Sequence, residues 1–436
     1  MIPLPKDFTD RMRKQLGEEY PDFLRALEGN PVRGIRLNPM KTFPEKEVYQ
    51  SAERIPWEKN GYLLAAESPA GSTVFHEAGG FYLQEPAAML PGALLDAKPG
   101  ERILDLCAAP GGKSTQIGAG MKGTGLLVSN DPVLKRAQIL SRNIERIGIP
   151  NALVTCARPE QLASRWKNVF DKILADAPCS GEGMFRRSPE SRLEWSTEQA
   201  AGCVKRQWEI LNEAAKMVRP GGRIVYSTCT YNPEENEKLV LRFLDMHNEF
   251  EPDCFPIPGE ANERFYYTCY PHQVCGEGQF AARIRKKDDE FDRAALQGAG
   301  MKPDREIIRA AGELLPEGPE ANYLIRNTLT HVPEIPEIRG ICVIRAGLHL
   351  AEIKGRNLIP DHAAAMSFLS CGGPVIDLDA TDTVRYISGE EIAHEIKGWT
   401  RIRYHGLILG WGKGSDGRIR NHYPKGLRKD HILTDA

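Results

Sequence analysis

The sequence predicts an α/β fold: a mostly parallel sheet with helices on both faces. Two observations predict it. From Ile103 onward, short apolar runs alternate with stretches of helical periodicity, the pattern of strand–helix–strand units. In addition, three loops rich in Gly, Pro or Cys each follow one of those apolar runs. Open sheets of this kind place their chemistry at the carboxyl ends of strands.

The elements follow in chain order. Residues 5–28 carry Phe8, Met12, Leu16, Tyr20, Phe23, Leu24 and Leu27 at helical spacing, and Gly29-Asn30-Pro31 ends that helix. Arg33 to Pro39 reads as a short basic strand, and Trp57 to Leu64 as another apolar patch. Together they predict a small α+β unit over residues 1–72. Gly79 to Leu95 leads through a helix into a strand at 102–106. A helix near 113–121, strands at 125–130, 151–155 and 171–176, helices near 133–147 and 197–218, and a strand at 222–227 complete the alternation. Tyr270 to Ala282 reads as a last loop and an antiparallel strand, so the main sheet is expected within residues 73–285. Residues 285–305 are charged and unpatterned, a linker composition. Glu306–Leu324 and Asp361–Ser370 have helical texture, and Gly340 to Leu350 reads as paired strands. Residues 286–370 are thus a linker and an intermediate region. Short strand-like runs separated by glycine turns (Val375–Leu378, Leu407–Leu409) mark residues 371–436 as a small β unit.

Composition narrows the function. At 436 residues the chain exceeds one ordinary core, and 41% hydrophobic with 27% charged residues is the balance of a globular protein. No apolar run reaches membrane-span length, and Met1-Ile-Pro-Leu-Pro-Lys-Asp lacks the apolar core of a signal peptide. The ten cysteines include no C-x-x-C pair, which fits a reduced cytoplasm better than a disulfide framework. A net charge of −2 gives no global case for nucleic acid, so RNA contacts must come from local basic patches.

The first loop lies in Arg102-Ile-Leu-Asp-Leu-Cys-Ala-Ala-Pro-Gly-Gly-Lys-Ser114. Strand, glycine turn and helix present backbone N–H groups and a helix N-terminus to a ligand. It is not a P-loop, because Cys107 stands where the first glycine is required, and no G-x-G-x-x-G is present. The second and third loops are Asp176-Ala-Pro-Cys-Ser-Gly-Glu-Gly183 and Tyr226-Ser-Thr-Cys-Thr-Tyr-Asn-Pro-Glu-Glu-Asn236. As residues, they supply two strand-end cysteines, Cys179 and Cys229, with Asp176 beside the first. The sequence alone does not rank the two cysteines.

These three stretches, in this order, resemble the motifs of the RNA 5-methylcytosine methyltransferases, the Nol/Nop/Sun family. The likeness runs from the N-terminal helix to Asn421-His-Tyr-Pro-Lys-Gly-Leu-Arg428 and is greatest to bacterial ribosomal-RNA members. It implies a class I, Rossmann-like, S-adenosylmethionine-dependent core with a C-terminal PUA-like RNA-binding domain. It implies methylation of cytosine carbon 5 in 16S ribosomal RNA, within the small subunit, by a cytoplasmic monomer; the same chemistry on 23S or transfer RNA, or a non-catalytic RNA-binding relic, are the rivals. Carbon 5 of cytosine is a poor nucleophile, and covalent addition of a thiolate at carbon 6 makes it enamine-like. The DNA cytosine enzymes use a Pro-Cys cysteine, matching Cys179. The RNA family uses the Thr-Cys cysteine, so the resemblance implies Cys229 as nucleophile and Cys179 as the group that helps release. It also implies that Asp176 bonds the cytosine ring edge, with Lys113 lowering a thiol pKa or contacting Asp176. For the cofactor it implies Cys107, Ala108, Ala109, Pro110, Gly111, Gly112 and Lys113 around the methionine part and ribose. Asp131 is implied for the ribose hydroxyls, Arg136 for the adenosine side, and Asp176 borders the site. One departure stands out: where the family has an Asp facing adenine, this chain has Arg158, which cannot accept from an amino group.

Three further features have weaker spacing. His272 lies between Cys269 and Cys275 but matches no common zinc pattern, and reads as a loop histidine. Arg33 and Arg36 are candidates for an RNA path. Arg401, Arg403, Lys413, Arg418, Arg420, Lys425, Arg428 and Lys429, interleaved with Tyr404, Trp411 and Tyr423, read as a surface that binds phosphates and stacks bases.

Overall fold

The computed structural model describes residues 2–44, 53–257, 262–288, 296, 298, 301–369 and 371–434. The first helical pattern divides into α1 (Lys6–Leu16) and α2 (Tyr20–Glu28). Gly17, at φ 55°, breaks the run, a conformation that favours a residue with no Cβ. Phe8, Met12, Phe23 and Leu27 face inward from both helices and pack on Phe185, Trp195 and Tyr231. Those partners belong to the stretches that follow Cys179 and Cys229, so the N-terminal helices rest on the cysteine loops.

Strands β1 (Arg33–Leu37), β2 (Gly61–Leu64) and β3 (Phe81–Leu83) form an antiparallel sheet in the order β2-β1-β3. The main sheet starts with β4 (Arg102–Asp105), followed by α3 (Gly112–Met121), β5 (Leu126–Asn130), α4 (Leu134–Ile147) and β6 (Ala152–Cys156). It continues with β7 (Phe170–Asp176), α5 (Thr197–Met217), β8 (Val218–Thr228), β9 (Tyr266–Cys269) and β10 (Gln279–Lys286). Strands β8-β7-β4-β5-β6 are parallel; β10 and then β9 add antiparallel at the β8 edge. Side chains alternate as a doubly covered sheet requires. Leu104, Val128, Leu153, Ile173 and Ile224 enter one core, while Ile103, Leu127, Val154, Leu174 and Val225 enter the other.

Gly340 to Leu350 departs from expectation. Its two strands, β11 (Cys342–Ala346) and β12 (Leu348–Lys354), do not pair with each other. β11 joins the main sheet antiparallel to β6, and β12 pairs with Thr328–His331 and Asn357–Pro360 in a separate four-stranded sheet. Gly347, at φ 60°, makes the change of sheet and donates its N–H to the Ala152 carbonyl at 2.9 Å. The physical reason is that β6 otherwise presents an open strand edge, which β11 satisfies. The main sheet therefore takes a strand from beyond residue 285.

The C-terminal region is a five-stranded sheet containing β13 (Gly398–Tyr404) and β14 (Leu407–Ser415), with a helix at Ala380–Ser388 that the sequence reading had not marked. Ile402, Tyr404 and Leu407 share one core with Ile35, Phe75 and Phe81 of the N-terminal region. The two ends of the chain thus pack together. Among the described residues no helix is long and apolar enough to cross a membrane.

Candidate active site

The glycine turn connects β4 to α3. Ala108 donates its N–H to the Asn130 carbonyl at 2.8 Å, the Ala109–Pro110 bond is cis, and Gly111 at φ 116° caps α3. Asp105, fully buried at the end of β4, accepts the Ser114 hydroxyl at 2.6 Å through one oxygen. Its other oxygen has no hydrogen-bond partner among the described residues. Burial, reinforced by the charge of Asp176, pushes its pKa up to about 7 against the pull of the Ser114 hydrogen bond.

Beside this turn opens a cavity of about 790 Å³, bordered by Cys107, Ala109, Asp131, Val133, Arg136 and Arg158. Asp131 is buried at the tip of β5, accepts the Val133 N–H at 3.0 Å, and pairs with Arg136 at 3.1 Å. Arg136 also donates to the Ala109 carbonyl at 3.1 Å, joining the strand tip to the glycine turn. Arg158 borders the cavity as an exposed side chain at the start of the helix Pro159–Ala163. One residue the sequence reading passed over, Asn130, braces this wall. Its amide donates to the Leu106 and Ala157 carbonyls at 3.1 and 3.0 Å, and its oxygen accepts Thr155 Oγ1 and the Ala157 N–H at 2.9 and 3.1 Å. It ties the ends of three strands together; its only sequence signal was a polar residue at the buried end of β5.

The cavity fits S-adenosylmethionine. Its volume lies in the range of small-ligand sites, and a buried carboxylate, Asp131, stands at the second strand tip.

On the other side lies a second cavity of about 350 Å³, bordered by Lys113, Asp176, Met184, Arg187, Cys229 and Gln279. The two cavities share Cys107, Ala109, Asp176 and Cys229, while Cys179 borders the larger and Lys113 the smaller. Asp176 receives Lys113 Nζ at 2.8 Å on one oxygen, and Ser227 Oγ at 2.6 Å and Gln279 Nε2 at 3.1 Å on the other. Ser227 and Gln279 were not singled out by sequence; β8 and β10 bring them to Asp176. Burial works to lower the Lys113 pKa, but the charge and hydrogen bond of Asp176 outweigh it, and Cys229 adds to the upward pull. The ammonium is kept charged beside the cysteine.

Cys179 and Cys229 face each other with sulfurs 3.2 Å apart. The hydrogen bond to Cys229, then burial, pushes the Cys179 thiol well above its usual range, so it holds its proton at neutral pH. Burial does the same to Cys107. The loops are fixed from below by buried Glu182, which accepts Arg11 of α1 at 2.6 Å, Trp195 Nε1 at 3.1 Å and the Tyr231 N–H at 3.1 Å. Cys229, Cys179, Asp176 and Lys113, singled out from the motifs, lie together here.

Other expectations require correction. Arg36 is buried and donates to Gln84, the Gly112 carbonyl at 2.9 Å and Thr115 Oγ1 at 2.7 Å. It locks β1 to the start of α3 and offers nothing to RNA. Arg33 bonds the Ala66 and Ser68 carbonyls at 2.7 and 3.0 Å. His272, by contrast, is a loop histidine as expected: it bonds Glu19 at 2.9 Å, bracing its loop against the turn between α1 and α2. Tyr404, Trp411 and Tyr423 are buried: Tyr404 and Trp411 point inward from their strands, and Tyr423, just past the last strand, packs against Tyr386; Trp411 Nε1 donates to the Asp361 carbonyl at 2.8 Å. They cannot stack on bases. Arg403 is engaged by Asp377 through two bonds of 2.7 and 2.6 Å, and Lys429 by Glu77 at 2.7 Å, whereas Arg418 and Arg420 are exposed.

A Rossmann-like sheet with a ligand cavity at its glycine turn and two facing cysteines beside it defines a class I methyltransferase. Comparison with known sequences identifies the branch. Residues 92–285 match the family 16S rRNA methyltransferase RsmB/F, residues 4–86 the N-terminal domain of 16S rRNA methyltransferase RsmF, and residues 374–429 the methyltransferase RsmF PUA domain. Ribosomal RNA small subunit methyltransferase F of Escherichia coli O127:H6 is 37% identical over 99% of this chain and 98% of its own length. The enzyme of the same name from Aliivibrio fischeri strain MJ11 is 31% identical over 99% of both chains. This chain belongs to the RsmF family. Among solved structures, a methyltransferase homologue from Pyrococcus horikoshii is 29% identical with a TM-score of 0.56, over 65% of this chain and 96% of its own. NSun6 from the same organism, crystallised with SFG, shares the fold at 22% identity and a TM-score of 0.56, over 65% of this chain and 99% of its own.

Proposed function

We propose that this protein methylates carbon 5 of a cytosine in 16S ribosomal RNA, with Cys229 as nucleophile and Cys179 assisting release. The observation that carries it is the position of Cys229, which borders both cavities together with Asp176 and lies 3.2 Å from Cys179. S-adenosylmethionine supplies an electrophilic methyl group. Asp131 and Arg136 would hold its adenosine side, with the glycine turn from Cys107 to Lys113 beside its methionine part; Cys107 and Ala109 border both cavities.

The target base enters the smaller cavity. Cys229 stands beside Lys113, whose ammonium is kept charged by Asp176, and is the cysteine that attacks. Its sulfur adds to carbon 6. The Lys113–Asp176 pair faces the ring edge where negative charge develops, and neutralises it. After methyl transfer, solvent water takes the carbon 5 proton, the carbon 5–carbon 6 double bond re-forms, and the carbon 6–sulfur bond breaks with its electrons on Cys229. Cys179, held as a thiol against the same sulfur, supplies a proton to it. The C-terminal sheet, with Arg418 and Arg420 outward, and the N-terminal region packed on it are RNA-docking surfaces. A cytoplasmic monomer acting on the small subunit fits this reading. The test is bisulfite mapping of 16S RNA from cells lacking the gene, complemented with the parent chain or with Cys229→Ser. A methylated cytosine that disappears and is restored only by the parent supports the assignment; a mark restored by Cys229→Ser refutes it.

A further inference from the structure

The two cysteine loops share a carboxylate that their motifs do not explain. Glu235 is fully buried. One of its oxygens accepts the Ser180 N–H at 2.9 Å and Gln207 Nε2 at 2.8 Å. The other accepts Ser180 Oγ at 2.5 Å and Asn232 Nδ2 at 3.1 Å. Ser180 directly follows Cys179, and its hydroxyl lies 2.8 Å from that of Thr230, which directly follows Cys229. Gln207, from α5, also donates to the Pro178 carbonyl at 3.1 Å, on the other side of Cys179. The Glu235 backbone carbonyl accepts the Tyr226 hydroxyl at 2.7 Å, near the end of β8.

Among the described residues no Lys, Arg or His pairs with Glu235. A carboxylate removed from water without a cation persists only where hydrogen-bond donors converge on it. Here the donors come from both flanks of the cysteine pair. Moving either loop leaves a buried acceptor short of a partner, so Glu235 fixes how far apart the loops stand. We propose that Glu235 is a positioning residue that sets Cys179 against Cys229, so that its loss slows expulsion of Cys229 from the methylated base more than the initial attack. The consequence for release rests on the roles given to the two cysteines above; the positioning itself does not. Attack needs Cys229, Lys113 and Asp176, none of which bonds Glu235, whereas release needs the 3.2 Å approach.

The experiment uses the full chain, with Glu235→Gln and Ser180→Ala beside Cys179→Ala, S-adenosylmethionine and unmethylated 16S RNA. Two quantities are read: the fraction of protein in a denaturant-resistant RNA adduct during turnover, and the rate at which phenylarsine oxide bridges Cys179 and Cys229, located by peptide mapping. Arsenical capture needs two sulfurs held close and is indifferent to their catalytic roles. Both variants should capture the arsenical more slowly and accumulate adduct roughly tenfold above the parent, the order expected from losing a hydrogen bond to a charged group. Should Glu235→Gln fail to fold, Ser180→Ala keeps the carboxylate and carries both readouts. Unchanged arsenical capture overturns the proposal. So does an equal fall in methyl transfer and release with no adduct while cofactor binding is intact. Slower capture in the variants with no adduct in Cys179→Ala upholds the positioning and overturns the cysteine roles instead.

Discussion

The catalytic loops and the C-terminal sheet make opposite use of the residues that look functional. In the loops, the reactive types lie together: Cys179, Cys229, Asp176 and Lys113 converge where two cavities meet. In the C-terminal sheet, the types expected to touch RNA separate. Tyr404, Trp411 and Tyr423 go inside, while Arg418 and Arg420 stay outside. Strand-end loops gather their side chains at one place, whereas strand alternation sends neighbouring residues to opposite faces. A motif on a strand-end loop therefore predicts a site, and a mixed basic and aromatic run on a strand does not predict a surface.

The sharpest way to break this comparison is at the cysteines. Cys229→Ser should abolish turnover, by more than about a thousandfold, since a hydroxyl is a far weaker nucleophile than a thiolate. Cys179→Ala should stall with RNA attached, and the double variant should form no adduct. Denaturing gels with labelled RNA read all three, and an adduct in Cys229→Ser but not in Cys179→Ala would exchange the roles. On the C-terminal side, Trp411→Ala should lower stability by about 3–5 kcal/mol, the cost of emptying a buried Trp site. If thermal denaturation is unaltered but RNA binding falls, Trp411 is a stacking residue after all.

Smaller effects sharpen the contrast. Asp131→Ala should weaken S-adenosylmethionine binding by about 1.5–3 kcal/mol through lost charge-assisted hydrogen bonds. Calorimetry that finds equal affinity removes Asp131 from the ribose. Asp105 gives a pH test. Its folded pKa of about 7 exceeds its unfolded value, so the native state binds the extra proton between the two. Its contribution to stability is fully present below the unfolded pKa and is lost as pH rises toward 7. Asp105→Asn should therefore gain stability relative to the parent over that window, by at most about 1.4 kcal/mol per pH unit. A pH-independent difference in melting temperature would show that Asp105 is ionised in the fold. The smallest change is expected at the surface: Arg420→Gln should reduce the slope of log affinity against log salt for RNA by just under one, with cofactor affinity unaltered. An unchanged slope makes Arg420 a solvated side chain.

Most of the alternating core was legible because it depends on local period. Apolar runs at Ile103, Leu126, Ile173 and Ile224 are buried on both sides and read as strands without further context. The split of α1 from α2 was missed because the apolar face continues across Gly17, whose left-handed backbone leaves no mark on the pattern. The braces Asn130, Glu182, Gln279 and Glu235 were missed for another reason. Each is a polar residue whose partners lie far away in the chain, such as Arg11 for Glu182 and Ser180 for Glu235.

By itself, then, the sequence determined the parallel core and the glycine turn, because strand period and strand-end loops are local properties, and its motifs marked the four side chains proposed for catalysis. Only the tertiary structure decided that Arg36 is a lock and not an RNA contact, that β11 leaves its neighbour to close the β6 edge, and that the two ends of the chain share a core. Those outcomes depend on which strand edge needs a partner and which face finds cover. Such needs are met between segments from about eighty to several hundred residues apart, where no local pattern records them.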